Sequence, residues 1–232
     1  MPSRVTTVLF DLDETLCDYT RSSADLLELA FEAAAVDPCF AVDDYHEIAE
    51  RYKDEAESKA ERRARSFADL AERAGRERAV GRVVAAEYAD LRDHGNVYAY
   101  DGLDVTLAAL GDEYRVGIVT NGEPAMQDPK LDALDLWEYV ETVVYAGSET
   151  PAKPATDPFE RGLSALDATA TEAVFVGNSI ETDVLGANRA GLTTVWIPLD
   201  RDVDADGKPA AGPRRPDYRV DELRALADEP WD

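Results

Sequence analysis

Two aspartates, Asp11 and Asp13, stand two residues apart at the end of the apolar run Val8-Leu9-Phe10, with Glu14 and Thr15 directly after them. In an extended backbone, residues i and i+2 project to the same side, so both carboxylates are expected to face one pocket at the C-terminal end of a strand. Two carboxylates about 4 Å apart repel by roughly 4 kcal/mol at an effective dielectric of about 20. Such a pair is tolerated when a cation lies between its members or when one keeps a proton. Either arrangement suits phosphoryl transfer, which needs a nucleophile, a proton donor and positive charge around phosphorus.

Three further stretches carry groups for that chemistry. The apolar run 116–119 ends in Thr120-Asn121-Gly122, a hydroxyl, an amide and a flexible backbone that could hydrogen-bond phosphate oxygens at a strand tip. Lys153 lies in a loop ahead of a helix expected to begin near Pro158. It is one of only five lysines against 19 arginines, and a compact ammonium suits a transferring phosphoryl group as a point charge. The run 174–176 leads through Gly177-Asn178-Ser179 to Glu181 and Asp183. Asp183 could complete an oxygen cage for Mg²⁺, which binds through a few carboxylates and keeps several waters.

Elements must hold these groups in place. Short β-branched runs at 5–10, 116–120, 143–145, 174–176 and 194–197 read as buried strands, and the later gaps are each long enough for a helix. This alternation predicts an α/β fold with a parallel sheet. The stretch 18–97 differs. It is rich in Ala, Glu and Arg, and Leu26, Leu27, Ala30, Phe31 and Ala34 recur at helical spacing behind a start signal at Ser22 and Asp25. Ile48, Tyr52, Val80, Val83, Val84, Tyr88 and Leu91 continue helical patterns. It is longer than a crossover needs, so it predicts an inserted helical domain of three to five helices. The expected division is a core of 1–17 and 98–232 and a helical insert of 18–97.

Composition narrows the functional class. The formal net charge is −25, with no basic stripe, which argues against nucleic acid or an anionic membrane as partner. An acidic, lysine-poor surface is a halophilic type of composition, and its self-repulsion is relieved by salt. Two cysteines make no disulfide framework, and no apolar run approaches the length of a membrane span, so a cytoplasmic protein is expected. Asp202, Asp204 and Asp206 imitate the start of a calcium loop, but Pro213 occupies the place of its closing glutamate, and a solvated loop is expected. His46 and His94 lack a partner at metal-ligand spacing, and Lys53 and Lys59 sit among charges rather than in an apolar setting that would activate an amine.

Taken together, Asp11-Leu12-Asp13-Glu14-Thr15, Thr120, Lys153 and the stretch from Gly177 to Asp183 resemble, in order and spacing, the four motifs of the haloacid dehalogenase-like (HAD) hydrolase superfamily. The resemblance covers roughly 1–17 and 98–200. It implies a Rossmann-like parallel sheet of order 3-2-1-4-5 with an α-helical cap inserted after the first motif. It also implies a Mg²⁺-dependent phosphatase acting on small phosphorylated metabolites. Asp11 would be the nucleophile and Asp13 the acid and base. Lys153 would be the charge-offsetting cation, with Thr15, Thr120 and Asn121 around the phosphate. Asp11, the Asp13 backbone carbonyl and Asp183 would hold the metal. Asn178 stands where the family usually has aspartate and is expected to weaken the metal site without abolishing it. A phosphosugar mutase, a haloacid dehalogenase and a non-catalytic binding protein on the same scaffold are the alternatives, and a monomer and a dimer are both open.

Overall fold

A computed structural model describes residues 4–52, 55–199 and 212–231. Lys53 and the acidic loop at 202–206 lie outside the described residues. The strands are β1 (Thr7–Phe10), β2 (Cys17–Tyr19), β3 (Val97–Ala99), β4 (Arg115–Asn121), β5 (Thr142–Ala146), β6 (Ala173–Gly177), β7 (Thr193–Trp196) and β8 (Tyr218–Arg219). Six of them form one parallel sheet in the order β5-β4-β1-β6-β7-β8. The five expected strands are present, and β8 is a sixth that the sequence pattern did not announce. It is two residues long and both are exposed, so it lacks the apolar run that marks a buried strand.

The sheet is buried on both faces, which is why its strands read as continuous apolar runs rather than alternating ones. Val8, Phe10, Leu12, Ile118 and Val176 point into one core, with Leu103, Leu107 and Leu110 of α5 (Leu103–Gly111). Leu9, Val119 and Phe175 point into the other, with Phe159 and Leu163 of α7 (Asp157–Ala165). β1 sits centrally, with Phe10 level with Ile118 on one side and Val176 on the other. The connections leave β1 in opposite directions, so its C-terminal end opens at the topological switch point where open parallel sheets bind ligands.

The chain divides into two compact units, Met1–Asp18 with Val97–Asp232, and Tyr19–Asn96. Both chain crossings fall at strands of the small β2–β3 sheet. The second unit consists of α1 (Ser23–Ala33), α2 (Val42–Ala49), α3 (Lys59–Arg73) and α4 (Arg78–Asp90). Ser22 caps α1, its hydroxyl accepting from the Asp25 N–H at 3.0 Å. Leu26, Leu27, Ala30, Phe31, Phe67, Val84, Ala85 and Tyr88 form the core of this unit. Val83 departs from the expected pattern and is exposed, because neighbouring helical positions point about 100° apart and Val84 takes the inward one. His94 is bound to the Tyr19 hydroxyl through Nδ1 at 2.7 Å, and His46 packs beside the Tyr45 ring. Among the described residues no helix is long and apolar enough to cross a membrane.

Candidate active site

The β1 ladder runs one step past the strand, the Asp11 N–H donating to the Val176 carbonyl at 2.9 Å. This fixes Asp11 at the sheet's C-terminal edge. The chain then turns back. The Leu12 carbonyl accepts from the N–H groups of Leu16 and Cys17, and Glu14 takes a left-handed conformation at φ 58°. Leu12 itself stays in the core.

Lys153 organises the centre. Its ammonium donates to Asp11 Oδ1 at 2.7 Å, to Asp183 Oδ1 at 2.7 Å and to the Val119 carbonyl at 2.8 Å. All three side chains are buried, Asp183 completely. Burial pushes the Asp11 carboxyl up to about 7, with Asp183 adding to the rise and Lys153 opposing it. Burial works against the charge of Lys153, but Asp11 and Asp183 outweigh it and hold the ammonium above the usual lysine range. Asn121 holds the backbone of this lysine from both sides. Its Oδ1 accepts from the Lys153 N–H at 2.8 Å and its Nδ2 donates to the Lys153 carbonyl at 3.2 Å.

Asp183 arrives on a π-helical turn, Ile180–Val184, that follows β6. Its other oxygen accepts from the Ser179 N–H at 3.0 Å. The approach requires glycine at 177, where a Cβ would lie 2.6 Å from Asp183 Oδ2. Asn178 is buried beside it. Its Oδ1 accepts from the Thr15 hydroxyl and its Nδ2 donates to Glu14, both at 3.3 Å. The amide thus ties the first motif to the fourth.

Asp13 makes its side-chain contacts apart from Lys153. Its Oδ1 pairs with the ammonium of Lys130, and its Oδ2 accepts from Gln127 Nε2 at 2.8 Å. The acid pair that shares a cation is Asp11 and Asp183. Gln127 Nε2 also donates to the Thr120 hydroxyl at 2.7 Å, so Thr120 belongs to the Asp13 side of the site. Lys130 and Gln127 lie one turn apart on α6 (Pro124–Ala133) and were not foreseen. The scarcity of lysine that drew attention to Lys153 applied equally to Lys130.

A cavity of about 480 Å³ opens beside Glu14 and Thr15, lined also by Tyr98, Tyr100, Asp101, Ile197 and Glu222.

Residues 5–191 fit the sequence pattern of the haloacid dehalogenase-like hydrolases. The chain is 37% identical over 115 residues to the ribulose-1,5-bisphosphate 5-phosphatase of Halopiger xanaduensis, covering 49% of this chain and 48% of that protein. It is 29% identical over 228 residues, 95% of each chain, to the glyceraldehyde 3-phosphate phosphatase of Methanopyrus kandleri. The chain spans about half the length of the Halopiger relative and of its Pyrococcus furiosus counterpart. Among solved structures, the HAD hydrolase YfnB of Bacillus subtilis, bound to magnesium, superposes with a TM-score of 0.75 at 24% identity, over 98% of this chain and 99% of that one. The sequence pattern spans most of the chain and the fold agrees with it; this protein belongs to the haloacid dehalogenase-like hydrolases.

Proposed function

We propose that this protein is a Mg²⁺-dependent phosphatase that hydrolyses small phosphate monoesters through an aspartyl-phosphate on Asp11. The observation that carries this reading is a buried Asp11 carboxylate facing the Lys153 ammonium, with a second acid, Asp13, two residues on. The curated relatives named above are phosphatases, which supports the same class.

The chemistry follows from charge. An anionic carboxylate attacking a phosphate dianion is opposed by repulsion, and Lys153 offsets part of it. An Asp11 oxygen forms a bond to phosphorus as the ester oxygen leaves, and the leaving alkoxide takes a proton from Asp13. Water then cleaves the aspartyl-phosphate and gives its proton back to Asp13, which restores both acids and releases phosphate. Thr120 and Thr15 contribute hydroxyls around the phosphate.

The donor set fits Mg²⁺. Asp11 and Asp183 carry two carboxylates against the one ammonium of Lys153, an excess of negative charge in a nearly dry place. Among the described residues no cluster of three or more His, Cys, Asp or Glu side chains converges. An ion that keeps several waters needs only one or two carboxylates. Asp11, the Asp13 carbonyl and Asp183 would hold it, with Asn178 as a neutral neighbour. When bound there, the metal supplies positive charge to the phosphoryl oxygens and favours the ionised form of Asp11.

The helical unit Tyr19–Asn96, inserted in the chain directly after the first motif, serves in this reading as a cap that restricts the substrate to small esters. Its core boundaries differ by one residue from those expected, 18 against 17 and 97 against 98. Triose and sugar phosphates, phosphoglycolate and nucleoside monophosphates are the substrate classes of suitable size, and a soluble cytoplasmic setting suits all of them. The test is a screen of these esters at molar KCl, with and without Mg²⁺. Hydrolysis that disappears on chelation and returns with Mg²⁺ is expected. Failure of every ester with every divalent metal would overturn the reading.

A further inference from the structure

Lys130 is a charged side chain almost wholly withdrawn from water, at 1% exposure, and the mechanism above does not use it. Burying an ammonium is expensive unless it is paired and hydrogen-bonded. Its ion pair is with Asp13, whose side chain is 39% exposed and so lies at the boundary between the interior and the open site. Gln127, also 1% exposed, reaches the other oxygen of the same carboxylate and the Thr120 hydroxyl. Its own Oε1 has no hydrogen-bond partner among the described residues. The hydrogen bonds this amide makes are through its donors. Gly122 leaves room for this amide, because a Cβ there would lie 2.6 Å from Gln127 Nε2.

We infer that Lys130 and Gln127 are positioning residues that hold the Asp13 carboxylate as a proton acceptor for the second half of the reaction, the hydrolysis of aspartyl-phosphate. Both oxygens of Asp13 face N–H donors, one on each side. A short side chain pinned at both oxygens cannot rotate away from the place where it must meet water. In that step water oxygen bonds to phosphorus, the bond between phosphorus and Asp11 breaks, and the water proton passes to Asp13. The inference deepens the function proposed above and rests on it.

The test uses p-nitrophenyl phosphate, because p-nitrophenolate leaves without needing a proton. The first half-reaction, read by kcat/KM, is then independent of Asp13, while kcat reports the second. Lys130→Met is expected to lower kcat about 10- to 100-fold with kcat/KM changed less than about threefold, and to accumulate phosphorylated enzyme after a burst of p-nitrophenol. Gln127→Met, which keeps volume and removes the donors, is the second variant and should show the same split more weakly. Equal losses in kcat and kcat/KM, or no loss in either, in a variant that retains the native circular dichroism and unfolding transition, would overturn the inference. Asp13→Asn separates the two levels. If it shows the kcat-selective loss and the Lys130 and Gln127 variants do not, positioning is wrong and the Asp13 role stands. If Asp13→Asn shows none, the Asp13 role falls and the inference falls with it.

Discussion

Among the described residues two buried lysines, Lys153 and Lys130, pair with aspartates of the first motif, and they differ in what they balance. Lys153 is shared between Asp11 and Asp183, so with both acids ionised its centre holds one more negative charge than positive. Lys130 pairs with Asp13, and that acid is partly hydrated. Two aspartates two residues apart are thereby given different work. The under-neutralised, dry centre attracts a further cation and suits a nucleophile. The Lys130–Asp13 pair, partly open to solvent, suits a carboxylate that exchanges protons with water.

The sharpest way to break the comparison is to neutralise Asp11. Asp11→Asn should lower turnover of any phosphate ester by at least about 10⁴-fold, as loss of a covalent nucleophile does. Retained turnover in a steady-state assay would remove the covalent role.

Next in size is the contrast between the two lysines in stability. Lys153→Met leaves two carboxylates buried without their cation and should destabilise by about 3–5 kcal/mol, as breaking a buried ion pair does. Lys130→Met leaves Asp13 able to turn to water and should cost about 1–2 kcal/mol or less. Urea unfolding of both variants in chelator reads the difference, and equal losses would mean that the two centres are not distinct.

The pH dependence separates them again. Burial raises the Asp11 carboxyl to about 7 in the folded protein, whereas in the unfolded chain it titrates at the ordinary carboxylate value of 3.8. Between those values the folded state binds more protons, so this group makes stability fall as pH rises. Without metal, Asp11→Asn removes that dependence. Its stability relative to the unmodified protein should improve from pH 4 to pH 8, measured by urea midpoints across that range. An unchanged difference would contradict the dry character of the Lys153 centre.

A smaller effect is expected at Asn178. Asn178→Asp adds a carboxylate beside the under-neutralised centre and should tighten Mg²⁺ about three- to tenfold by calorimetric titration, roughly 1 kcal/mol. Equal or weaker binding would mean that residue 178 does not feel the ion. The smallest effect per group is spread over the whole surface. With a net charge of −25, raising KCl from about 0.1 M to about 1 M shortens the screening length from about 10 Å to about 3 Å and should raise the thermal midpoint. A midpoint indifferent to KCl would defeat the reading of the composition.

How much of this was legible in the sequence depended on where each group sits along the chain. Asp11, Thr120, Lys153 and Asp183 stand at or just beyond strand ends, and a parallel sheet gathers strand ends at one edge. Position along the chain therefore stood in for position in space. Lys130 and Gln127 lie in mid-helix, where i and i+3 share a face but nothing local says what that face meets. Only the fold brings Lys130 to Asp13, 117 residues away. β8 was invisible because its two exposed residues carry no apolar signal; it is recognised only by its pairing with Val195 and Trp196.

The most direct test of the central claim is to mix the protein with a phosphate ester and Mg²⁺, quench in acid within the first turnovers, and locate the phosphoryl group by mass spectrometry of the peptides. A phosphoryl adduct on Asp11, absent in Asp11→Asn and, with p-nitrophenyl phosphate as the ester, more abundant in Asp13→Asn, is the predicted result. Turnover without any adduct, or an adduct on a residue other than Asp11, would contradict it.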